Sequence, residues 1–145
     1  MKTKERGDMS KEQWIRWNPK INLTTVYFVS NRRFFGNSLE IFLSDSYGKE
    51  EDLKFTFNNS VFFYNITDEN CRILRIVYLE KNYTKEFCAD WTFFKIYNSE
   101  WLNWISGLSK NEIDTSLLTH FVFVDDDIYL DVISSKEPEI ATVDH

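Results

Sequence analysis

Apolar and polar residues alternate along much of the chain between residues 21 and 97, and this alternation predicts a series of β-strands. Leu53, Phe55 and Phe57, for example, are separated by polar residues. A period of two is typical of strands that bury one face and expose the other. The segments expected to form strands in this part of the chain are 21–29, 39–43, 53–57, 61–66, 72–80 and 91–97.

Short polar turns separate several of these segments and predict how they pair. Asn58-Asn59-Ser60 lies between 53–57 and 61–66, so we expect a hairpin over 53–66. Three consecutive aspartates at 125–127 lie between the apolar segments 117–124 and 128–133, which predicts a second hairpin with a tight acidic turn.

Helix signals occur at two places. Ser99 is a suitable N-cap, Glu100 suits a first turn and Gly107 suits a helix end, which together predict a helix over about 99–107. Trp101, Trp104, Ile105 and Leu108 would form its apolar face. Near the N-terminus, the Ser10 and Gln13 spacing matches a capping box and predicts a short helix that ends at Asn18-Pro19. For 72–80, whose β-branched residues favour a strand, a helix is the alternative.

These elements predict one α+β domain. We expect a twisted and mainly antiparallel sheet, or a half-barrel, packed on the helix at about 99–107. The domain should span 10–137, between a disordered extension at 1–9 and a frayed tail at 138–145. A length of 145 residues fits one domain, and 43% hydrophobic residues can supply its core.

Composition also bears on the location of the protein. The apolar runs are far shorter than the roughly 18 residues that a membrane span needs, so we expect no membrane partner. No secretory leader is evident, and Cys71 and Cys88 are the only cysteines. We therefore expect a cytoplasmic protein with two buried thiols; a disulfide or a reactive thiol is the alternative.

Acidic residues are concentrated towards the C-terminus of a chain whose net charge is −6. Such a balance argues against a nucleic-acid partner, which needs clustered Lys and Arg, and fits a basic protein partner. We therefore predict a partner-binding surface that includes two acidic segments. Its residues are Asp125, Asp126, Asp127, Asp131, Glu50, Glu51 and Asp52. A solvated turn with a solubilising tail is the alternative interpretation of the same charges.

Metal binding and catalysis receive less support from the sequence. The aspartates at 125–127, with Asp131 and His120, could bind Ca²⁺ or Mg²⁺, but they lack the glycine and glutamate of an EF-hand loop. His120 could pair with Cys88 and an aspartate, yet a hydrogen-bonded histidine at a strand end explains it equally well. No nucleophile elbow, phosphate loop or zinc motif is present. We predict no enzyme activity, no cofactor and no metal.

The C-terminal half resembles one group of known proteins. The sequence Ser99-Glu100-Trp101-Leu102 opens a helix, the apolar segment 119–124 leads to the acidic turn, and 128–133 is followed by Glu137-Pro138. This pattern is similar to the end of small acidic immunity proteins from bacterial polymorphic-toxin and contact-dependent inhibition systems. The resemblance implies a non-enzymatic protein that binds a co-encoded toxin domain and blocks its active site.

Two alternatives come from other functional classes. One is a regulatory or adaptor domain that binds a protein through an aromatic surface, which the paired tryptophans Trp14/Trp17 and Trp101/Trp104 could supply. The other is an uncharacterised enzyme that uses His120 and nearby aspartates, which requires at least two carboxylates to converge on that histidine in a pocket.

Charge reversal in the acidic turn tests its predicted role. We expect Asp126→Lys combined with Asp127→Lys to weaken partner binding and to leave the fold intact, because an acidic surface attracts a basic partner. Titration calorimetry with the partner at low and at physiological salt measures the change. An unchanged affinity in the double variant would remove the acidic turn from the binding surface.

Overall fold

A computed structural model describes residues 12–19, 26–84, 86–87, 91–110, 112–125 and 128–143. Strands dominate this part of the chain, and two helices accompany them. The elements are β1 (Gln13–Arg16), β2 (Tyr27–Phe35), β3 (Ser38–Asp45), β4 (Asp52–Phe57), β5 (Val61–Thr67), α1 (Glu69–Asn82), β6 (Phe93–Tyr97), α2 (Glu100–Leu108), a 3₁₀ turn (Thr115–Leu117), β7 (Thr119–Val124), β8 (Tyr129–Ser134) and β9 (Glu139–Val143).

The strands form two antiparallel sheets that pack face to face. One sheet has the order β1-β6-β7-β8-β5, and the other has the order β2-β3-β4-β9. Aromatic side chains fill the space between them, with the rings of Phe55 and Phe93 stacked 5.2 Å apart. Tyr27 at the start of β2 contacts Phe93 on β6, whereas Phe34 near its end contacts Tyr64 on β5. Strand β2 therefore passes across the five-stranded sheet instead of running along one of its strands.

A second apolar cluster lies on the opposite face of the five-stranded sheet. Leu79 of α1 is fully buried there against a group of sheet residues. That group consists of Trp14, Phe94, Ile96, Val122, Val124 and Tyr129. The molecule thus has three layers, in the order four-stranded sheet, five-stranded sheet and helices.

The α+β class and the mainly antiparallel sheet structure agree with the sequence prediction, but the half-barrel on one helix is replaced by this layered arrangement. The β7–β8 hairpin is confirmed, with Phe121 opposite Val132. The helix predicted at about 99–107 is confirmed as α2, with Ser99 as its N-cap. It continues through Gly107 to Leu108, because Ser109 supplies the C-cap.

Residues 72–80 lie in helix α1, so the strand predicted there is wrong and the alternative is right. Arg72, Arg75, Ile76 and Leu79 recur at the spacing of one helix face, and this face is turned towards the sheet. Burial of that face outweighs the local preference of the β-branched residues for a strand.

The N-terminal helix prediction is also wrong for the residues that the structure describes. Residues 13–16 form strand β1, which pairs with β6 and places Trp14 opposite Ile96. Trp14 is buried while Ile15 is exposed, which is strand alternation. The free edge of β6 supplies backbone partners that a single isolated helical turn would lack. Ser10, the predicted cap, lies outside the described residues.

Two further corrections concern connectivity. Strands β4 and β5 do not form the predicted hairpin, because β4 pairs with β3 and β9 while β5 pairs with β8. Asn59, with a positive φ of 53°, instead turns the chain from one sheet into the other. The tail predicted to fray contains β9, which pairs with β4 and packs Ile140 on the core. Among the described residues, neither helix is long and apolar enough to cross a membrane.

Truncation of the chain tests the contribution of β9. We expect a protein that ends at Pro138 to lose roughly 3 kcal/mol or more of unfolding free energy, because β4 loses a strand partner and the core loses Ile140. Urea denaturation followed by tryptophan fluorescence measures the loss. A protein that ends at Val143 is the matched control and should keep the full stability; equal stability of the two truncations would contradict the role of β9.

Candidate functional site

A series of polar side chains, three buried and one partly buried, lies between the helices and the five-stranded sheet. Arg75 forms an ion pair with Asp131, whose carboxylate also contacts His120, with 2.8 Å between Nε2 and Oδ1. The other ring nitrogen of His120 lies 2.7 Å from the hydroxyl oxygen of Ser99. Ser99, His120 and Asp131 are each at most 1% exposed. We call these four residues the polar chain.

Four different elements contribute to the polar chain. Arg75 comes from α1, Ser99 precedes α2, and His120 and Asp131 lie on the paired strands β7 and β8. Arg75 also donates to the hydroxyl of Thr67 on β5. The polar chain therefore joins both helices to the sheet beneath them.

Hydrogen-bond partners determine the ionisation state of the Asp131 carboxylate. Burial alone raises the pKa of Asp131, but hydrogen bonds from His120 and Arg75 and the charge of Arg75 outweigh it and hold that pKa below its usual range. The charged carboxylate accepts from Nε2 of His120. Nδ1 of the same ring forms a hydrogen bond with the Ser99 hydroxyl, whose oxygen also accepts the backbone N–H of Leu102.

A serine, a histidine and an aspartate in series suggest nucleophilic catalysis, but their surroundings favour a structural role. The Ser99 hydroxyl is fully buried and caps α2, so no substrate reaches it in this conformation. The ring of Trp101 stacks on His120 with centroids 5.1 Å apart. Both ring nitrogens of His120 are occupied by Ser99 and Asp131, so the two other carboxylates near it, Glu12 and Glu100 of the overlying cleft, do not bond the ring. Cys88 and the side chain of Cys71 lie outside the described residues.

Above the polar chain, a cleft of about 340 Å³ opens between α1, α2 and the residues that precede β1. Its lining combines aromatic rings with two carboxylates. The lining residues are Glu12, Trp14, Thr67, Leu74, Arg75, Tyr78, Glu100, Trp101 and His120. A second depression of about 370 Å³ shares Glu12, Trp14 and Tyr78 with it, so the groove continues beside α1.

The charges in the cleft favour a cation. Arg75 contributes a positive charge, but its ion pair with Asp131 neutralises it. Glu12 and Glu100 have no cationic partner in the described part of the chain, and Glu12 accepts the backbone N–H of Glu100. Burial raises the pKa of Tyr78, and the nearby negative charges of Glu12 and Glu100 raise it further. The two carboxylates therefore produce a negative potential at the Tyr78 hydroxyl.

The predicted acidic residues of the β7–β8 turn differ in their surroundings. Asp125 is buried, and its carboxylate accepts the backbone N–H groups of Val29 and Ile128. Asp131 belongs to the polar chain, so it is not on the surface. Asp126 and Asp127 lie outside the described residues.

The second predicted acidic segment is on the surface and lies near the first. Glu50 and Glu51 are exposed, and Asp52 is half-buried at the start of β4. Burial raises the pKa of Tyr27, and the negative charges of Asp45, Glu50 and Asp52 raise it further, so these carboxylates lie near the Tyr27 side chain. Because Asp125 contacts Val29, both acidic segments lie beside the start of β2.

Helix α1 has a second apolar face that the fold leaves exposed. Ile73, Leu74 and Val77 are 60, 72 and 55% exposed, and Tyr78 is partly exposed beside them. We call these four residues the outer face of α1. Leu74 and Tyr78 also line the cleft, so the outer face and the cleft form one continuous surface. The helix therefore carries more apolar surface than the core uses.

This surface also adjoins the acidic turn. Nε of Arg72 donates to the backbone oxygen of Asp125, 3.2 Å away, which holds the start of α1 against the β7–β8 turn. Sequence reasoning missed the outer face because it predicted a strand at 72–80. It also missed Arg75, for which the sequence contains no local signal.

Comparison with known proteins gives no indication of function, so a functional assignment has to be argued from the contacts described above. No protein-family model matches the chain, and neither a curated protein nor a solved structure matches it. Within the described residues, no three His, Cys, Asp or Glu side chains are grouped as metal ligands.

Replacement of Asp131 tests the polar chain. We expect Asp131→Asn to cost about 3–5 kcal/mol of unfolding free energy at neutral pH, because Arg75 loses its buried counter-ion. A carboxyl with a lowered folded pKa stabilises above its unfolded pKa of about 3.9, and this stabilisation is lost as the pH falls towards the folded value. The difference between wild type and variant should therefore be constant from pH 7 to 5 and shrink below about pH 4.

Thermal and urea unfolding between pH 3 and 7 measures this difference. Glu137→Gln is the control, since its exposed ion pair with Lys95 should contribute less than about 1 kcal/mol. A difference between wild type and Asp131→Asn that stayed constant down to pH 3 would contradict the charged state of Asp131.

Proposed function

We propose that this chain is a non-enzymatic binding protein of the immunity type, which neutralises a basic, nuclease-type toxin domain by direct contact in the cytoplasm. The observation that carries the proposal is the outer face of α1, an exposed apolar surface between an acidic turn and an acidic cleft. The C-terminal resemblance to immunity proteins and the net charge of −6 support the same assignment.

The exposed apolar residues are the first support for this proposal. The opposite side of α1 is turned towards the sheet, so the outer face is not needed for the core. Exposed leucine, isoleucine and valine side chains grouped on one helix face are typical of surfaces that bind another protein. Burial of such a group contributes about 25 cal/mol for each Å² removed from water.

The second support is the charge around the same surface. Glu12 and Glu100 line the cleft, and Glu50 and Glu51 extend the acidic surface beyond the β7–β8 turn. Negative potential of this kind speeds association with a basic partner and disfavours acidic ones. We assign Asp126 and Asp127 to electrostatic steering of the partner. We assign the apolar contacts that stabilise the complex to the outer face of α1.

A small regulatory or adaptor domain that binds a protein partner through an aromatic surface is the alternative function. Salt dependence separates the two functions. Binding of a basic toxin domain should slow as salt rises, because screening reduces the attraction between opposite charges. Adaptor binding through aromatic residues alone should be insensitive to salt.

A toxin-neutralisation assay tests the proposal and its surface together. The protein is co-expressed with the toxin domain encoded beside it, and bacterial growth and the affinity of the purified pair are measured. We expect wild type to restore growth and Leu74→Lys to weaken the affinity at least about tenfold, because the added charge meets a basic partner at an apolar contact.

Leu117→Lys is the matched control, since Leu117 is 68% exposed and Leu74 is 72% exposed. Both variants should keep wild-type stability, and the control should keep full neutralisation. Equal neutralisation by both variants would contradict the role of α1, and failure of wild type to bind the toxin domain would contradict the proposed function.

A further inference from the structure

The cleft between α1 and α2 has the chemistry of a site for a planar organic cation. We infer that it receives an arginine side chain of the partner, whose guanidinium group lies among the aromatic rings and between the carboxylates of Glu12 and Glu100. This inference rests on the proposed function for the source of the arginine, but the cleft itself can be tested without any partner.

The sign of the charge is the first step of the argument. Among the described residues that line the cleft, ligands for an anion would have to come from Arg75 or from the N-terminus of α2. Arg75 is paired with Asp131, and the N–H groups of Glu100 and Leu102 at the start of α2 are bonded by Glu12 and Ser99. The remaining charges of this described lining are the two carboxylates, so a cation is favoured over an anion.

The shape and polarity of the walls are the second step. Trp101 and Tyr78 contribute aromatic surface next to the carboxylates. A guanidinium group stacks on aromatic faces and donates in pairs to carboxylates, which a compact ammonium group does less well. The volume of about 340 Å³ accommodates one long side chain, although it is small for a folded segment.

The floor of the same cleft already contains an arginine held in this way. The guanidinium of Arg75 lies 5.4 Å from the ring centre of Trp14, 6.0 Å from that of Trp101 and 4.9 Å from that of Tyr129. Its charge is balanced by Asp131. Among the described lining residues, the rest of the cleft repeats this combination of rings and carboxylates without a second arginine.

One buried donor in the lining also lacks a partner. The indole N–H of Trp14 is buried and has no hydrogen-bond acceptor among the described residues. Buried donors are usually satisfied in native proteins. Because this nitrogen is buried, an acceptor from a ligand reaches it only if the wall of the cleft moves.

A small arginine probe tests the cleft directly. We propose NMR titration of the full chain with N-acetyl-arginine methylamide, observing the tryptophan indole N–H signals, with the neutral isostere N-acetyl-citrulline methylamide as the ligand control. Saturable shifts at Trp101 are expected, with a millimolar Kd for the arginine probe and at least about fivefold weaker binding of the citrulline probe.

Substitutions localise the binding. Glu12→Gln and Glu100→Gln should each weaken the arginine probe about threefold, since both keep a hydrogen-bonding side chain but remove a charge. Glu139→Gln, on the four-stranded sheet, is the matched control and should leave the Kd unchanged. Equal binding of both probes, no saturable binding, or equal effects of all three substitutions would overturn the cation site.

Binding of the toxin domain is measured separately from binding of the probe. Suppose that the arginine probe binds but that the double variant Glu12→Gln with Glu100→Gln keeps the wild-type affinity for the toxin domain. The partner then does not use the cleft, so the inference about the partner fails while the immunity function stands. If the probe binds and wild type does not bind the toxin domain, the proposed function fails while the cation site stands. A loss of at least fivefold in toxin affinity supports both.

Discussion

The buried carboxylate of Asp131 is the contact on which the arrangement of the helices depends. It lies on the face of the five-stranded sheet opposite the main core, where an isolated charge would be costly. Arg75 from α1 and His120 from β7 both compensate it, and Ser99 extends the contact to the first turn of α2. Because a guanidinium must meet a carboxylate in a defined geometry, this contact specifies where α1 lies more narrowly than apolar burial does.

The proposed binding surface follows from this placement. With Arg75 held at the sheet, Ile73, Leu74 and Val77 are on the side of α1 that no described element covers. The same pairing neutralises the one cation among the described residues that line the cleft, so that Glu12 and Glu100 determine the sign of its charge. The polar chain, whose composition resembles catalytic machinery, links both helices to the sheet. The surface above it is the one that we propose for a protein contact.

Elements with strong local signals could be predicted from the sequence. The N-cap at Ser99 and the acidic turn of the β7–β8 hairpin specify their structures through neighbouring residues. For helix α1 the sequence left strand and helix as alternatives, and β9 and the separation of β4 from β5 could not be predicted. Each depends on which distant surface the segment meets. For the site, His120 and Asp131 were singled out, but as parts of catalytic, metal or surface hypotheses. Arg75 is 56 residues from Asp131 in sequence, and topology alone brings them together.

Amide hydrogen exchange of the protein, free and bound to the proposed toxin partner, tests the central claim that the helix layer is the binding surface. Exchange reports protection along the whole backbone and requires no substitution. The account predicts slower amide exchange on binding in α1 and in the first turn of α2. Exchange in β9 and its neighbour β4 of the four-stranded sheet should be unchanged. Protection that is confined to the four-stranded sheet, with α1 exchanging as fast in the complex as in the free protein, would contradict it.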